Sequence, residues 1–400
     1  MVYSSMVKYK ASKSEELVRM PWEARTVKEQ REGFVEAAEH SRNFSALCRE
    51  YGITRKTGYK WVNRYQAEQS MEEHSREPHR IPHKTSPEVE TAILRVRAEN
   101  PGWGARTIRQ VLENEGVSGL PSARTVNAVL NRYGCIEEAE SQKRKAYIRY
   151  EKDACNEMWQ TDFKGEFKTK DGKYCYPLDI LDDHSRFAIK IAASDTTANI
   201  VIPAFRDAFL NYGLPKAILS DNGAQFAGFR NGYTQFEKWL MCLDILPIHG
   251  RIKHPQTQGK IERFHRSMKN EFLKYHEFED ALHANDALQD WKNKYNFTRP
   301  HEALGMKTPG AVYVPSTRLL PDQIRPWEYD GRFHVIKVNN WGYVRYDRFQ
   351  VYLSETMSNE HVEFRPNPHG DSFAVCFRNF KIAEYSFEGG KLLNRSISRL

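Results

Sequence analysis

Asp162, Asp221 and Glu262 are the side chains on which chemistry can be built in this sequence. Asp162 lies in Met158-Trp159-Gln160-Thr161-Asp162-Phe163-Lys164-Gly165. Asp221 lies in Ser220-Asp221-Asn222-Gly223-Ala224-Gln225-Phe226, and Glu262 in Gln258-Gly259-Lys260-Ile261-Glu262-Arg263. The apolar run Ala217-Ile218-Leu219 before Asp221 reads as a buried parallel strand. A carboxylate at the carboxyl end of such a strand sits at the sheet edge, where open α/β folds place their sites. Asn222-Gly223 then turns the chain and exposes it. Converging carboxylates suit hard divalent cations. Each residue also has a plain alternative: a turn former for Asp221, an exposed strand position for Asp162, a solvated helix face for Glu262.

Together and in this order, the three segments resemble the catalytic core of DDE transposases and retroviral-type integrases, above all insertion-sequence transposases with an integrase core. The resemblance runs from about Pro21 to about Pro315 and is strongest from Trp159 to Pro309. Its motifs are Trp159-Gln160-Thr161-Asp162, Asp182-Asp183-His184-Ser185-Arg186, Ser220-Asp221-Asn222-Gly223, Gln258-Gly259-Lys260-Ile261-Glu262-Arg263 and Arg299-Pro300-His301-Glu302-Ala303-Leu304. The interval between Asp221 and Glu262 is a few residues longer than usual in the family, with the extra residues placed in the loop Ala227 to Thr234. The resemblance implies an α/β ribonuclease-H-like core. It implies that Asp162, Asp221 and Glu262 are both catalytic residues and ligands of two Mg²⁺ ions, with Mn²⁺ able to substitute. It also implies cleavage and joining of double-stranded DNA, at element ends and target, by a homo-oligomer assembled on the DNA. No covalent protein–DNA link is needed, so no Ser or Tyr nucleophile is assigned. Two other classes stay open: a catalytically silent, transposase-derived DNA-binding regulator, and a ribonuclease-H-like nuclease without joining activity.

At 400 residues the chain exceeds the size of a single core, so several domains are expected. Lys and Arg number 60 against 52 Asp and Glu, a net charge of +8 that favours a polyanionic partner. No apolar run approaches the roughly 18 residues that span a bilayer. Met1 to Met20 lacks the apolar centre of a signal peptide. The cysteines Cys48, Cys135, Cys155, Cys175, Cys242 and Cys376 are scattered without paired spacing and read as reduced thiols. The expected location is the bacterial cytoplasm, at the nucleoid. His79 and His83 are separated by the helix-breaking Pro82, and no Cys-x-x-Cys follows. They read as linker histidines, and no structural zinc is expected.

The expected organisation is multidomain: a leader (1–20), a helix-turn-helix domain (21–66), a linker (67–85), a second helix-turn-helix unit (86–135), a connector (136–156), the catalytic core (157–315) and a small β-barrel-like domain (326–400). In the first unit Phe34, Ala37 and Ala38 mark an apolar face, Gly52 a turn and Thr54 an N-cap. The next helix turns Trp61, Val62 and Tyr65 inward. Its outer residues Arg55, Lys56, Thr57, Tyr59, Lys60, Asn63 and Arg64 suit phosphate and base-edge contacts. In the second unit Ser86-Pro87-Glu88 starts a helix. Ile108, Val111 and Leu112, then Val126, Val129 and Leu130, face inward, with Arg124 and Asn127 outward toward DNA. Plain helical packing is the alternative for either unit.

In the core, strands are expected over 159–167, 174–181, 187–193, 217–221 and 246–249, and helices over 199–211 and 236–243. Asp182 is assigned to the turn Asp182 to Arg186 and left out of the metal site. Ile200, Ile202, Phe205, Ala208 and Phe209 are expected inward. The helix from about Gln258 carries a buried stripe of Ile261, Phe264, Met268, Phe272 and Tyr275. Glu262, Arg266 and Lys269 share another face, and Lys260, Arg266 and Lys269 are expected along DNA phosphates. An ion pair with Glu262 is the alternative for Arg266. A following helix over 280–297 buries Leu282, Leu288, Trp291 and Tyr295, and His301 reads as a capping or packing residue. From Trp327 onward short strands alternate with Asn, Gly and Pro turns.

A fragment covering residues 20–135 is expected to bind the element's end DNA without metal. Its affinity should fall steeply with salt, because Lys and Arg displace condensed counterions. Arg55→Ala and Lys60→Ala should weaken binding while the circular dichroism spectrum stays unchanged. Gel shifts at two salt concentrations check this, and salt-insensitive binding refutes it.

Overall fold

Gly165 decides where the central sheet of the catalytic core begins. Its φ of +85° is a left-handed conformation that favours glycine, and it breaks the expected first strand in two. The computed structural model describes residues 26–68, 85–136, 151–197, 199–228, 232–250, 259–368 and 370–400. The leader, most of the linker with His79 and His83, and most of the connector lie outside the described residues. The chain divides into two compact units, Met1–Lys84 and Thr85–Leu400.

The first unit holds α1 (Val27–His40), α2 (Phe44–Glu50) and α3 (Arg55–Glu68). Thr26 and Glu29 close a capping box at the start of α1. Thr54 Oγ1 accepts from Thr57 N at 3.2 Å and starts α3. Phe34, Val35, Leu47 and Cys48 form the buried core, with Trp61, Val62 and Tyr65 packed against it. Val35 fills the central place, while Ala37 and Ala38 lie at the margin. Arg55, Lys56, Tyr59, Lys60 and Asn63 are exposed. Thr57 differs from its outward assignment: its hydroxyl lies 2.9 Å from that of Thr54 and belongs to the cap.

The second unit begins with α4 (Pro87–Glu99), α5 (Ala105–Asn114) and α6 (Ala123–Arg132). Ser86 caps α4, with Pro87 in the first turn. Ile93, Val96, Trp103, Ile108, Leu112, Val126 and Leu130 close one core, leaving Arg124 and Asn127 exposed on α6. A Cβ added to Gly102 would lie 2.8 Å from the Asn270 carbonyl oxygen. Only glycine permits that approach between the helical unit and the core.

The core contains β1 (Trp159–Phe163), β2 (Phe167–Lys168), β3 (Tyr174–Asp182), β4 (Ala188–Ser194), α7 (Val201–Tyr212), β5 (Ala217–Ser220), α8 (Gln235–Cys242), β6 (Leu246–His249), α9 (Gly259–Glu271) and α10 (Ala281–Phe297). The strand order is β2-β3-β1-β5-β6, with β4 also paired to β3. β3 runs antiparallel to its neighbours, while β1, β5 and β6 are parallel. α7 and α8 contribute Phe205, Phe209, Phe236 and Leu240 to a core with Trp159 and Ile180. α9 and α10 contribute Phe264, Met268, Leu288 and Trp291 to another with Leu181 and Ile191. Both faces of the sheet are thus covered by helices, as the ribonuclease-H-like expectation requires.

Three residues expected inward are exposed. Leu282 is 70% exposed because the buried stripe of α10 runs Ala284, Leu288, Trp291, Tyr295, and Leu282 is out of phase with it. Tyr275 is 45% exposed because α9 ends at Glu271 and a 3₁₀ turn changes the side-chain phase. Ile202 sits at the edge of α7's buried stripe of Val201, Phe205, Ala208 and Phe209.

The C-terminal region comprises β7 (His334–Lys337), β8 (Tyr343–Tyr346), β9 (Phe349–Tyr352), β10 (His361–Pro366), β11 (Ser372–Phe377), β12 (Phe380–Ser386), β13 (Leu392–Asn394) and β14 (Ser398–Arg399). Six of these strands form an antiparallel sheet, and β8 with β9 forms a separate ribbon. Tyr233 and Met241 of the catalytic core are buried in the same cluster as Phe364, Phe373 and Ile382. Tyr233 OH donates to the Ile382 carbonyl at 2.5 Å. No helix among the described residues is long and apolar enough to cross a membrane.

Asp182 builds the β3–β4 turn. Its Oδ1 accepts from Asn156 N at 2.8 Å, and its Oδ2 accepts from Ser185 N at 2.8 Å and Ser185 Oγ at 2.7 Å. Asp182→Asn leaves one acceptor oxygen for three buried donors. It should cost about 1–3 kcal/mol of stability. Urea denaturation measures this, and an unchanged midpoint refutes the turn-building role.

Candidate active site

The parallel register of β1 and β5 pairs Trp159 with Ile218 and Gln160 with Leu219. Carried two positions further, it sets Asp162 beside Asp221, at the carboxyl ends of two parallel strands. The Asp221 carboxylate accepts from Gly223 N at 2.9 Å, which makes the turn. Asn222 Nδ2 donates to the Gly250 carbonyl at 2.9 Å. Behind the turn, Ser220 Oγ lies 3.1 Å from His249 Nδ1, and His249 Nε2 lies 2.8 Å from Glu237 Oε1. Glu237 also accepts from the backbone N–H groups of Gly228 and Thr234. The Asp221 loop is therefore tied to the start of α8.

Asp162 is largely buried, with its side chain 24% exposed. Burial pushes its carboxyl up to about 6. His265 works against that rise, and the neighbouring charge of Asp221 adds to it. Opposite Asp162 on β3 lies Asp179, which is wholly inaccessible to solvent. His265 Nε2 lies 3.0 Å from Asp179 Oδ2, yet out of line for a hydrogen bond, so both atoms and Asp179 Oδ1 are left without a hydrogen-bond partner. Burial raises the Asp179 carboxyl, and His265 opposes that rise. His265 Nδ1 lies 3.9 Å from Asp162 Oδ2.

Glu262 is exposed in the first turn of α9. Its neighbour Ile261 donates its backbone N–H to Gln160 Oε1 at 3.2 Å, so this turn rests on β1 two positions before Asp162. His265 lies one helical turn on from Glu262. Among the described residues no group of three His, Cys, Asp or Glu side chains gathers at metal-holding range. Asp162 and Asp221 are brought side by side, while Glu262 stands on the adjoining helix and does not close on them. The donor set nevertheless fits a hard divalent cation: all its atoms are carboxylate oxygens, and beside it the buried Asp179 carboxylate lacks a hydrogen-bond partner.

Arg266 and Lys269 are exposed on α9. Lys260 is not available to phosphates: its Nζ pairs with the Asp183 carboxylate and donates to the Asp183 carbonyl at 3.0 Å. An aliphatic stem long enough to reach back under the helix makes this inward route possible. His301 is buried, and that burial, reinforced by Arg299, depresses its imidazole to about 3. It packs edge-on against Tyr295 at 4.7 Å, as a packing residue does. Asp179, Asp183 and His265 were not singled out from the sequence. An acid inside the apolar run Pro177-Leu178-Asp179-Ile180-Leu181 is a usable signal. So is a histidine three residues after Glu262 on the same helix.

The integrase core domain family matches residues 152–255 and, through a second integrase core description, 243–309. A helix-turn-helix domain matches 30–69, and a homeodomain-like domain matches 57–130. The insertion element IS407 uncharacterized 31.7 kDa protein of Burkholderia multivorans is 23% identical over 233 residues, covering 56% of this chain and 81% of that one. The putative integrase ORF3 of Spiroplasma virus SpV1-C74 is 29% identical over 189 residues, 44% of this chain and 52% of that one. Transposase InsD for insertion element IS2 of Escherichia coli is 25% identical over 242 residues, 57% of this chain and 78% of that one. Among solved structures, the HTLV-2 integrase catalytic core domain in complex with magnesium is 21% identical with a TM-score of 0.32, covering 40% of this chain and 97% of that one.

The Asp162 carboxyl, raised from 3.8 to about 6, sets a pH dependence. Between these values the folded state binds more protons than the unfolded one. The stability due to Asp162 is therefore fully present below about pH 4 and lost as pH rises through about 6, a loss of at most about 3 kcal/mol. Metal-free urea midpoints at pH 4.5 and 7.5 should show this loss, and Asp162→Asn should remove it. An Asp162→Asn variant with the native slope overturns the assignment.

Proposed function

We propose, from the premise that this chain is an insertion-sequence transposase with an integrase core behind helix-turn-helix domains, that Asp162, Asp221 and Glu262 carry its DNA strand cleavage and strand transfer. The observation that carries this reading is the β1–β5 pairing, which sets two carboxylates from distant segments side by side beneath the helix that bears the third. These residues would hold two Mg²⁺ ions, with Mn²⁺ as a substitute. When bound, such ions activate the attacking oxygen and stabilise the leaving oxygen of an in-line phosphoryl transfer.

The protein's own groups do the rest. Asp162 loses its proton above about pH 6 and is then a full ligand. Asp221 is oriented by its bond to Gly223 N. Arg266 and Lys269 lie on the exposed side of α9, where duplex phosphates would pass. Lys164 supports this reading: burial lowers its ammonium, Asp179 opposes that, and the like charge of Lys269 adds to it. A phosphate between these two lysines would relieve that repulsion. The exposed residues of α3, with Arg124 and Asn127 of α6, would hold the element's ends and the adjoining duplex. The chain would act as a homo-oligomer on DNA at the bacterial nucleoid.

Asp162→Asn, Asp221→Asn and Glu262→Gln keep size and remove charge. Each should reduce cleavage and joining of an end-bearing DNA in Mg²⁺ to background, with end binding unchanged. A variant that still joins strands at the native rate removes that residue from the site.

A further inference from the structure

The first turn of α9 breaks two local rules at one residue. Lys260 places a cation at a helix N-terminus, where the backbone dipole is unfavourable to it. Its side chain is also only 14% exposed, and a buried charge is costly unless paired. Departures of this kind gather where geometry matters more than stability.

The contacts around Lys260 form a closed ring. Its Nζ pairs with Asp183 Oδ2 and donates to the Asp183 carbonyl at 3.0 Å. The other Asp183 oxygen accepts from Gln160 Nε2 at 2.8 Å. Gln160 Oε1 accepts from Ile261 N, the residue after Lys260, at 3.2 Å. Gln160 and Asp183 are almost wholly inaccessible to solvent. Asp183 Oδ2 also accepts from Lys152 N at 2.8 Å, which ties in the segment before β1.

This ring lies at a fixed offset from the carboxylates. Gln160 and Asp162 are two positions apart on one strand face, about 6.6 Å along it. Ile261 and His265 are four apart on α9, about 6 Å along it. Ile261 rests on Gln160, and His265 lies beside Asp162 and Asp179. The helix therefore tracks the strand, held before and after Glu262.

We propose that Asp183, Lys260 and Gln160 are a positioning clamp that fixes the first turn of α9 against β1, so that only the Glu262 side chain has to move for it to join Asp162 on a divalent ion. The inference rests on the reading of Glu262 as a metal ligand. All three clamp residues are buried or nearly so. Residues that orient metal ligands in this way typically change metal affinity about ten- to hundredfold when replaced.

The test uses the full chain and Mg²⁺ alone. Calorimetric titration gives the affinity, amide hydrogen exchange over residues 259–264 reports the helix start, and melting in EDTA confirms folding. Lys260→Met should weaken Mg²⁺ about ten- to hundredfold and speed exchange at Ile261. Lys260→Arg, which keeps the ion pair, should recover most of both losses. Asp183→Asn with Lys260→Met should lose less than the sum of the two single losses, because both variants remove the same ion pair. Should the single variant fail to fold, the double variant is the one measured, since it leaves no buried charge unpaired. A folded variant lacking Lys260 that binds Mg²⁺ as the native chain does overturns the clamp. So does a loss that Lys260→Arg fails to recover. Glu262→Gln separates the two ideas: if it leaves Mg²⁺ affinity intact, the reading of Glu262 as a ligand fails; if it weakens Mg²⁺ while Lys260→Met does not, the clamp alone fails.

Discussion

The parallel pairing of β1 with β5 places Asp162 and Asp221 at adjacent strand ends, from segments 59 positions apart in the sequence. Two carboxylates so placed resist each other and resist burial. What holds them is apolar packing on both faces of the sheet, with Trp159, Phe205 and Phe209 on one side and Phe264, Met268 and Trp291 on the other. Burying side chains of this size is worth roughly 1.5–3 kcal/mol each. That is enough to hold Asp162 where its carboxyl is pushed up to about 6. The site is thus maintained by the cores around it, and a bound cation would offset the negative charge buried there.

Polar contacts around the site fall into two groups with different jobs. Ser220, His249 and Glu237 tie the Asp221 turn to α8 through side-chain hydrogen bonds. Gln160, Asp183 and Lys260 tie α9 to β1 through a buried ion pair. Replacing such a pair with apolar residues is often neutral or stabilising, so its presence is poor evidence for stability and better evidence for a required geometry. The ring fixes one end of α9, while Glu271, Arg299 and Trp103 fix the other. Arg299 donates to both Glu271 oxygens, at 2.6 and 2.7 Å, and Trp103 Nε1 donates to Glu271 Oε2 at 3.1 Å.

Much of this was legible in the sequence because it is written in periodicity and turn chemistry. The strand before Asp221, the Asp182 turn, the Ser86-Pro87 and Thr54 caps, and most of the α9 stripe follow from local rules. Leu282 and Tyr275 were misplaced because a stripe of spacing three or four has more than one phase, and a single 3₁₀ turn resets it. Lys260 was misread because charge alone says nothing about direction: its partner, Asp183, is 77 positions away. Asp179 and His265 were passed over for a similar reason. Their proximity to Asp162 arises from strand register and helix docking, and neither is visible until the sheet is assembled.

Gly102 lets the turn between α4 and α5 touch the backbone of α9 itself, at Asn270 and Glu271. Lys294 of α10 adds a bond to the Glu99 carbonyl at 3.1 Å, and Arg106 adds one to Glu302 at 3.0 Å. The consequence is mechanical: α4–α6 and the helix that carries Glu262 belong to one compact unit, so a shift of either is felt by the other.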